Sequence, residues 1–530
     1  MRKTKIICTL GPATEKPETI RKLIARGADV FRLNMSHAAR EWVREIVPRI
    51  RKLADESTRP VGILLDTQGP AIRTGPVKTP LELKKGDVLE FTVGHAKKTE
   101  KKSVEVNYDK FADDVNVGDT VLVDNGLIKL TVTAKKKNRV LCKVVTPAAL
   151  GSRRHINLPG IHVSLPPLTK KDIADVGLGA ELGVDFVALS FVRKPSDLVE
   201  LRNLLVRKKS KAQVLAKIED QAAVESIDHI IKTADLVMVA RGDLGIEVPM
   251  EELPIIQRRI VKSCIRLGKP VIVATHLLES MINNRVPTRA EITDVANAVF
   301  EQADAIMLSG ETSIGHYPVE CVEVLNRVAT RIERSGGAGY AESAILEDAR
   351  QKTVASAVVL ANSLARSKII VFTRHGRMAR NTSNLRPQRA TIFAFTPSEE
   401  VRRQLSICWG VYPDVDLALS FNRQFDVDRL FLLAQRPAQF RERNVLQLTD
   451  TFTGHAEFLA DFLERLRFPP IEAEALENNF LLAIIEHIEQ TAHFVAQVFV
   501  AQKLKRCLRI LIADDFAELG RIVIADRRIE

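Results

Sequence analysis

The sequence predicts an α/β protein: a closed (β/α)8 (TIM) barrel of eight parallel strands, a small all-β lid domain inserted in it, and a C-terminal α/β domain. Three observations support this fold class. Eight short apolar runs end abruptly in polar residues, helical periodicity fills most intervals between them, and one interval is unusually long. Fully apolar strands that alternate with amphipathic helices are typical of buried parallel sheets, and eight such units indicate a closed barrel.

The eight apolar runs are the predicted barrel strands. In chain order they occupy residues 5–12, 29–36, 61–69, 185–192, 213–220, 236–243, 270–276 and 305–312. Residues 288–304 illustrate the intervening helices, because their apolar positions recur at helical spacing. Thr288 and Glu291 form a capping box at the start of that helix.

The long interval between the third and fourth runs predicts the insertion. Residues 70–166 alternate in β fashion between turn signals, so we expect a β-barrel lid domain there, inserted into a barrel made of 1–69 and 167–335. A new α/β alternation predicts a C-terminal domain over 340–530, whose signal weakens from about 416. Its expected elements are a helix over 351–366, a strand over 368–373, a helix around 377–384, a strand over 391–397, a helix over 398–408, and helices and two β-like stretches in the tail.

Composition excludes several classes of protein. The chain has 530 residues, 45% hydrophobic and 27% charged, which is ordinary for a folded protein of about two to four domains. We expect no membrane helix, because no run of about 18 apolar residues occurs. The six cysteines form no C-x-x-C pair, so the sequence indicates neither a zinc site nor a disulfide framework, and a reduced, cytoplasmic location is expected.

The excess positive charge is concentrated in the insertion. Residues 70–166 hold 17 Lys and Arg against 10 Asp and Glu, a surplus of seven within a net charge of +12. Nucleic acid or small phosphorylated anions are possible partners, but an aromatic fraction of 5% is poor for base stacking. A solvated lysine-rich surface explains most of these lysines.

Catalytic groups of a (β/α)8 barrel lie at the carboxyl ends of the strands, so the strand-end residues are the candidates. They are Arg32, Asn34, Ser36, His37, Asp66, Thr67, Arg73, Ser190, Arg193, Lys217, Glu219, Asp220, Arg241, Gly242, Asp243, Thr275, His276, Ser309 and Glu311. Several arginines and a lysine at one mouth favour phosphate or carboxylate ligands, and carboxylates among them favour Mg²⁺. The set indicates phosphoryl transfer, although any one of these residues alone would more often be a structural ion pair.

Seven segments resemble pyruvate kinases, in collinear order over roughly residues 1–415. They are KTKIICTLGPAT, FRLNMSH, LLDTQGPAIRTG, AKIED, MVARGDLGIEVP, TRAEITDVANAV and IMLSGET, and NLPG at 157–160 matches too. The resemblance implies a phosphotransferase of the final step of glycolysis, which converts phosphoenolpyruvate and ADP to pyruvate and ATP. It also implies Mg²⁺ or Mn²⁺, a cytoplasmic homotetramer with a mobile lid, and neither nucleic acid nor membrane as partner.

The resemblance also implies roles for individual residues. Lys217 would neutralise the charge of the phosphoryl group during its transfer, Thr275 would lie beside the enolate, and Arg32 would bind phosphate. The resemblance implies that these three residues bind the substrate together with Gly242 and Asp243, and that the nucleotide is bound by Asn34, His37, Arg73 and Arg154. It implies that Glu219 and Asp243 bind Mg²⁺. It implies that K⁺ is bound by Asn34, Ser36, Asp66 and Thr67.

Several positions depart from the family pattern DTKGPEIRTG. Thr67 and Thr74 resemble potassium-dependent members, whereas Gln68 resembles the independent ones and Ala71 resembles neither, so potassium dependence is open. His276 replaces the usual glutamine after the threonine. It could alter the pH dependence of enolate protonation or merely pack.

Three rival functions remain open. The chain could be a non-catalytic paralogue that binds phosphorylated ligands, a related Mg²⁺-dependent lyase that acts on an enolpyruvate, or a nucleic-acid binder. Residues 372–379 lack most hydroxyls of the family's sugar-phosphate loop, so activation by a sugar bisphosphate is not expected, and the sequence does not identify an effector.

Overall fold

The computed structural model describes residues 1–415, except 58, 95, 97, 98, 162, 365 and 366, together with the strand at 521–526. These residues form two compact units. One is Met1–Ile345 with Ser406–Trp409, and the other is Leu346–Leu405 with the described residues from Gly410 onward. None of the helices in this described part has the length and apolar composition that a membrane crossing requires.

The first unit begins with three barrel strands and two helices: β1 (Lys5–Thr9), α1 (Pro17–Arg26), β2 (Val30–Asn34), α2 (Arg40–Glu56) and β3 (Gly62–Asp66). Every residue of β1 and β3 is buried, because helices cover the outside of the barrel and side chains fill its interior. Pro17 suits the first turn of α1, and Gly27, with φ of 110°, ends the helix in the left-handed conformation.

The insertion follows β3. It contains β4 (Leu81–Leu83), β5 (Val88–Val93), β6 (Ser103–Val106), α3 (Phe111–Asp114), β7 (Thr120–Val123), β8 (Ile128–Lys136), β9 (Arg139–Val144), β10 (Ala148–Leu150) and β11 (Ile156–Asn157). Six strands form one sheet in the order β11-β7-β8-β9-β5-β6, and β10 pairs with β4 separately. The all-β insertion is confirmed. Bridges from Arg73 to His155, beside β11, and from Thr74 to Val106 of β6 connect both edge strands of the six-stranded sheet, and closure of the insertion into a β-barrel stays a prediction. We call residues 70–166 the lid.

The barrel resumes after the lid. Its further elements are α4 (Lys170–Glu181), β12 (Phe186–Leu189), α5 (Pro195–Arg207), β13 (Gln213–Ile218), α6 (Gln221–Glu225), α7 (Ile227–Thr233), β14 (Leu236–Ala240), α8 (Arg241–Glu247), α9 (Leu253–Arg266), β15 (Val271–Ala274), α10 (Arg289–Phe300), β16 (Ala305–Leu308), α11 (Gly310–Ser313) and α12 (Pro318–Ile332), with 3-10 turns at Glu279–Ile282, Glu333–Ser335 and Tyr340–Ser343.

The eight barrel strands are parallel and close in the order β1-β16-β15-β14-β13-β12-β3-β2. Each of the eight predicted runs contains one of them, so the (β/α)8 barrel is confirmed. The capping box of Thr288 and Glu291 is present at the start of α10.

The second unit holds a parallel sheet in the order β19-β18-β17-β20. Its elements are α13 (Ala349–Ser363), β17 (Ser367–Thr373), α14 (Arg377–Asn384), β18 (Ala390–Thr396), α15 (Glu399–Leu405), β19 (Val411–Val415) and β20 (Arg521–Asp526). The predicted α/β domain is therefore confirmed, and the last β-like stretch of the tail is β20. The other predicted tail elements lie outside the described residues.

Candidate active site

A buried cluster of two cations and two carboxylates lies at the carboxyl ends of β2, β3 and β13. Asp66 is fully buried, and its Oδ2 accepts from Arg32 Nε at 2.7 Å. Lys217 Nζ lies 3.3 Å from Asp66 Oδ1 and 2.7 Å from Glu219 Oε1. The structure thus brings together four of the residues that the sequence predicted at the mouth.

Opposite charges shift the pKa values within this cluster. Burial tends to raise the pKa of Asp66, but the positive charges of Lys217 and Arg32 outweigh it and lower this pKa. Burial tends to lower the pKa of Lys217, but the charges of Asp66 and Glu219 raise it above its ordinary value. Lys217 therefore stays a cation at neutral pH, which suits charge neutralisation rather than proton donation.

Glu219 faces both a cation and another carboxylate. Burial raises the pKa of Glu219 to about 7; the charge of Lys217 lowers this pKa and that of Asp243 raises it. Glu219 Oε2 accepts from the backbone N–H of Phe191 at 2.6 Å. Phe191 has φ of 54°, and such a left-handed backbone at a bulky residue is typical of functional sites.

The cluster borders a cavity of about 330 Å³ between the barrel mouth and the lid. The barrel side is lined by Arg32, Asn34, Ser36, His37, Gln68, Ser190, Phe191, Lys217, Glu219 and Asp243, and the lid side by Ala71, Arg73, Asp124, Asn125, Ser152, Arg153, Arg154 and His155. Four arginines and one lysine in this lining suit a phosphorylated ligand.

The lid arginines are held by hydrogen bonds that leave their side chains exposed. Arg154 N donates to Thr74 Oγ1 at 2.8 Å, and Arg154 Nη1 lies 3.2 Å from Asp124 Oδ1. Arg73 Nη1 donates to the carbonyl oxygen of Arg153 at 3.3 Å. The lid side of the cavity is therefore basic and accessible.

Thr275 and Gly242 meet at the start of α8, although neither lines the cavity. Thr275 Oγ1 accepts from Gly242 N at 2.8 Å and donates to Ala274 O at 2.7 Å. Thr275 and His276 have positive φ values of 67° and 54°. The guanidinium of Arg241 holds this turn, because it donates to the carbonyl oxygens of Ala274 and Thr275.

Three predicted mouth residues serve contacts outside the cavity. Arg193 donates to backbone carbonyl oxygens of the lid, and Arg241 pairs with Asp294 at 2.7 Å. His276 Nε2 lies 3.3 Å from Glu279 Oε2, and its side chain is 58% exposed rather than packed. An effect of His276 on pH dependence stays a prediction.

Glu219 and Asp243 fit a divalent cation by their chemistry. Both line the cavity, and a bound cation would relieve the repulsion that raises the pKa of Glu219. Across the described residues, no group of three or more His, Cys, Asp or Glu is arranged to hold a metal by itself. Mg²⁺ commonly takes one or two carboxylates together with water and phosphate oxygens, so two carboxylates beside this cavity suffice.

The four residues that the resemblance assigns to K⁺ have different surroundings. Asn34 and Ser36 line the cavity, and Asn34 Oδ1 accepts from Ser36 N at 3.2 Å. Asp66 belongs to the buried cluster, and Thr67 Oγ1 donates to Ala188 O at 2.9 Å. A potassium site at these residues stays a prediction.

Ser190 was recognised only as a strand-end residue, and the structure places it against Lys217. Its Oγ accepts from Lys217 Nζ at 2.8 Å and donates to Thr67 O at 2.7 Å. The position of Ser190 at the carboxyl end of β12 is the sequence signal from which a role beside Lys217 could have been predicted.

His155 and Phe191 were missed by the sequence analysis. Both line the cavity, and their ring centroids lie 5.9 Å apart. Burial lowers the pKa of His155, while the charge of Asp243 raises it and that of Arg73 lowers it. His155 follows the arginine pair before NLPG, and Phe191 follows Ser190 at a strand end, so position was again the available signal.

Comparisons with known proteins agree with this architecture. The family model "Pyruvate kinase, barrel domain" matches residues 1–322, and "Pyruvate kinase, alpha/beta domain" matches 351–450. A pyruvate kinase of Staphylococcus aureus (strain MRSA252) is 42% identical over 427 residues, 78% of this chain and 72% of the relative, and one of Bacillus licheniformis is 43% identical over 423 residues, with the same coverage.

A solved structure agrees as well. The crystal structure of a pyruvate kinase from Cryptosporidium parvum superposes with a TM-score of 0.76 at 36% identity, covering 82% of this chain and 91% of that one. These matches confirm the resemblance seen in the sequence. The chain therefore belongs to the pyruvate kinase family, the phosphotransferases that convert phosphoenolpyruvate and ADP to pyruvate and ATP.

Proposed function

We propose that this chain transfers the phosphoryl group of phosphoenolpyruvate to ADP in the cavity between the barrel mouth and the lid. The observation that carries the proposal is Lys217, a cation fixed by two carboxylates that also lines an arginine-rich cavity. In the transfer, a terminal phosphate oxygen of ADP bonds to phosphorus and the bond from phosphorus to the enol oxygen breaks. The enolate that remains takes a proton at its methylene carbon and becomes pyruvate.

Lys217 and Arg32 supply positive charge on the barrel side. Because the charges of Asp66 and Glu219 raise the pKa of Lys217, its ammonium is present throughout the reaction and faces the charge that develops on the phosphoryl oxygens. Asp66 fixes the Arg32 guanidinium, and Thr9 Oγ1 accepts from Arg32 Nη1 at 3.1 Å. Such fixed donors need little reorganisation during the transfer.

Glu219 and Asp243 are the proposed ligands of Mg²⁺ or Mn²⁺. The bound metal supplies divalent charge to substrate oxygens. The N–H of Phe191 orients Glu219 toward this task. In the same proposal Asp243 and the backbone of Gly242 also bind substrate.

Thr275 is the proposed hydroxyl beside the enolate. Its Oγ1 is already held by Gly242 N and Ala274 O, so the hydroxyl has a fixed position next to the substrate-binding turn. In this role Thr275 orders the proton donor at the methylene carbon.

The nucleotide is proposed to bind between Arg73 and Arg154 of the lid side and Asn34 and His37 of the barrel. All four line the cavity, and the two guanidinium groups are exposed to it. Phosphate oxygens of ADP are suited to both.

The proposal includes three further points: a potassium ion is held by Asn34, Ser36, Asp66 and Thr67, the protein is cytoplasmic, and it forms a homotetramer. Family membership supports all three.

The test measures pyruvate formation from phosphoenolpyruvate and ADP with Mg²⁺, with and without K⁺. Turnover that rises with K⁺ supports both the kinase and the cation site. Turnover indifferent to K⁺ supports the kinase and removes the potassium site. Folded protein without turnover under either condition contradicts the proposal and favours a phosphorylated-ligand binder.

A further inference from the structure

A second cavity, of about 480 Å³, lies where the end of the lid returns to the barrel. Its lining includes the apolar side chains of Ile72, Leu158, Ile161 and Val163. Nine of its nineteen lining residues are polar or charged: His155, Asn157, Arg193, Lys194, Asp220, Gln221, Glu225, Ser226 and Glu247. Small-molecule sites combine an apolar surface with polar groups that orient the ligand. His155 and Phe191 line both this cavity and the one at the mouth. We call it the hinge cavity.

One buried amide oxygen in this lining is unsatisfied. Asn157 is 4% exposed, and its Nδ2 donates to Glu247 Oε1 at 2.7 Å. Within the described part of the chain, Asn157 Oδ1 has no hydrogen-bond partner. A buried acceptor without a donor costs free energy. Asn157 Oδ1 has almost no accessible surface, so a ligand donor reaches it only when the amide turns toward the cavity, and that hydrogen bond would then offset the cost.

Glu247 adds negative charge beside that oxygen. Burial raises the pKa of Glu247 to about 7; hydrogen bonds from Asn157 and from the Leu158 backbone lower it, and the charges of Asp220 and Asp243 raise it. The two charged groups that shift the pKa of Glu247, Asp220 and Asp243, are thus both carboxylates. A positively charged ligand group would favour its ionised form.

The cations of the lining do not fill this role. Arg193 Nη1 donates to Val163 O at 2.6 Å, and Nη2 donates to Leu165 O, so its guanidinium binds the lid backbone. Lys194 is an exposed residue. The apolar walls, the unsatisfied amide oxygen and the buried carboxyl therefore converge on one kind of ligand.

We propose that the hinge cavity binds a small apolar molecule that carries a protonated amine, with the ammonium between Asn157 Oδ1 and Glu247 and the apolar body against Ile72, Leu158 and Ile161. The residues proposed to contact this ligand do not line the mouth cavity, and the proposal does not depend on the function proposed above.

Isothermal titration calorimetry of the full chain with tryptamine tests the proposal. Tryptophol, which replaces the amine with a hydroxyl, is the matched neutral probe. We expect tryptamine to bind in the micromolar-to-millimolar range, roughly tenfold or more tightly than tryptophol, since only the amine brings a charge-assisted donor. Saturating ADP and phosphoenolpyruvate should not displace it. No heat of binding, equal affinity of the two probes, or displacement by ADP each contradicts the proposal.

Two variants locate the site. Glu247→Gln should weaken tryptamine roughly tenfold and leave tryptophol unchanged, whereas Glu225→Gln, an exposed carboxylate of the same lining, should change neither by more than about twofold. Ile161→Trp should abolish binding of both probes by filling the cavity. Unaltered binding to Glu247→Gln and Ile161→Trp, with both variants folded by circular dichroism, would place tryptamine elsewhere and overturn the assignment.

Discussion

The two ends of the barrel both carry buried charges, but they use them differently. At the end where the strands begin, an aspartate precedes each of four strands and accepts a backbone N–H from a neighbouring strand. The pairs are Asp29 with Ile6 at 2.8 Å, Asp185 with Ile63 at 2.8 Å, Asp235 with Val214 at 2.8 Å and Asp304 with Val271 at 3.0 Å. Arg2, Arg51 and Arg202 neutralise the first three.

At the mouth, the carboxylates are shared among several cations that also border a cavity. Asp66 interacts with both Arg32 and Lys217, and Lys217 also contacts Glu219 and Ser190. The comparison teaches that buried ion pairs alone do not identify an active site. Shared pairing also occurs at the other end, where Asp29 pairs with both Arg2 and Arg59. What distinguishes the mouth is that Arg32, Lys217 and Glu219 line an accessible cavity, whereas the aspartates at the other end tie strands together.

Among the variants that test this comparison, Lys217→Ala is expected to have the largest effect on turnover. Turnover should fall about a thousandfold, because the phosphoryl charge loses its fixed counter-charge. Steady-state assay of pyruvate formation measures it, with Lys208→Ala, an exposed lysine on the barrel surface, as the matched control. Near-normal turnover in Lys217→Ala would remove this residue from the mechanism.

At the opposite end, Asp185→Ala should affect stability instead. The variant leaves the Ile63 N–H without its acceptor and removes the counter-charge of the Arg51 guanidinium, which keeps the carbonyl oxygens of Val61 and Gly183 as acceptors, so the free energy of unfolding should drop by about 3 kcal/mol. Urea denaturation measures this drop, and turnover per folded molecule should stay unchanged. Glu56→Gln, which breaks the exposed pair with Arg21, should cost less than about 0.5 kcal/mol. A large loss of turnover in folded Asp185→Ala would contradict the view that the charges at this end serve stability alone.

Ser190→Ala should have an intermediate effect at the mouth. It removes one acceptor of Lys217 Nζ but leaves both carboxylates, so turnover should fall about tenfold. The same assay measures it, with Ser356→Ala in the second unit as control. A loss as large as that of Lys217→Ala would mean that Ser190 does more than position the ammonium.

The smallest effect concerns Glu247 and pH. Its pKa of about 7 in the folded chain lies above the ordinary value of 4.5, so folding favours the protonated form. Its contribution to stability is complete below about pH 4.5 and is lost as pH rises through about 7. In Glu247→Gln, the decrease in unfolding free energy between pH 5 and pH 8 should be about 1 to 2 kcal/mol smaller. Parallel curves for the two proteins would show that Glu247 titrates at its ordinary pKa.

The barrel and most of the site were predictable because their signals are local. A fully apolar run that ends in Lys217 or Asp66 marks both a buried strand and a mouth residue. The direction of a long side chain is not local, which is why Arg193 and Arg241 were expected at the mouth but bind backbone carbonyls and Asp294 elsewhere. Phe191 was overlooked because a search for polar strand ends passes over an aromatic residue.

Strand pairing in the lid was also beyond what local sequence signals predict. Its strands were predictable from alternation and turns, but their partners were not. The pairing of β10 with β4 joins segments more than 60 residues apart, and Arg73 and Thr74 bridge to the two edges of the larger sheet. Such partner choice depends on packing that the alternation of residues does not encode.

The backbone of Phe191 has a consequence for binding equilibria. This one residue holds Glu219 through its N–H and contacts His155 of the lid through its ring. If lid closure and metal binding are coupled through Phe191, thermodynamic linkage requires the coupling to be reciprocal: the factor by which a closed lid increases metal affinity is the factor by which bound metal favours the closed lid. Bound metal would then favour the closed lid even when no nucleotide occupies the arginines that the lid carries.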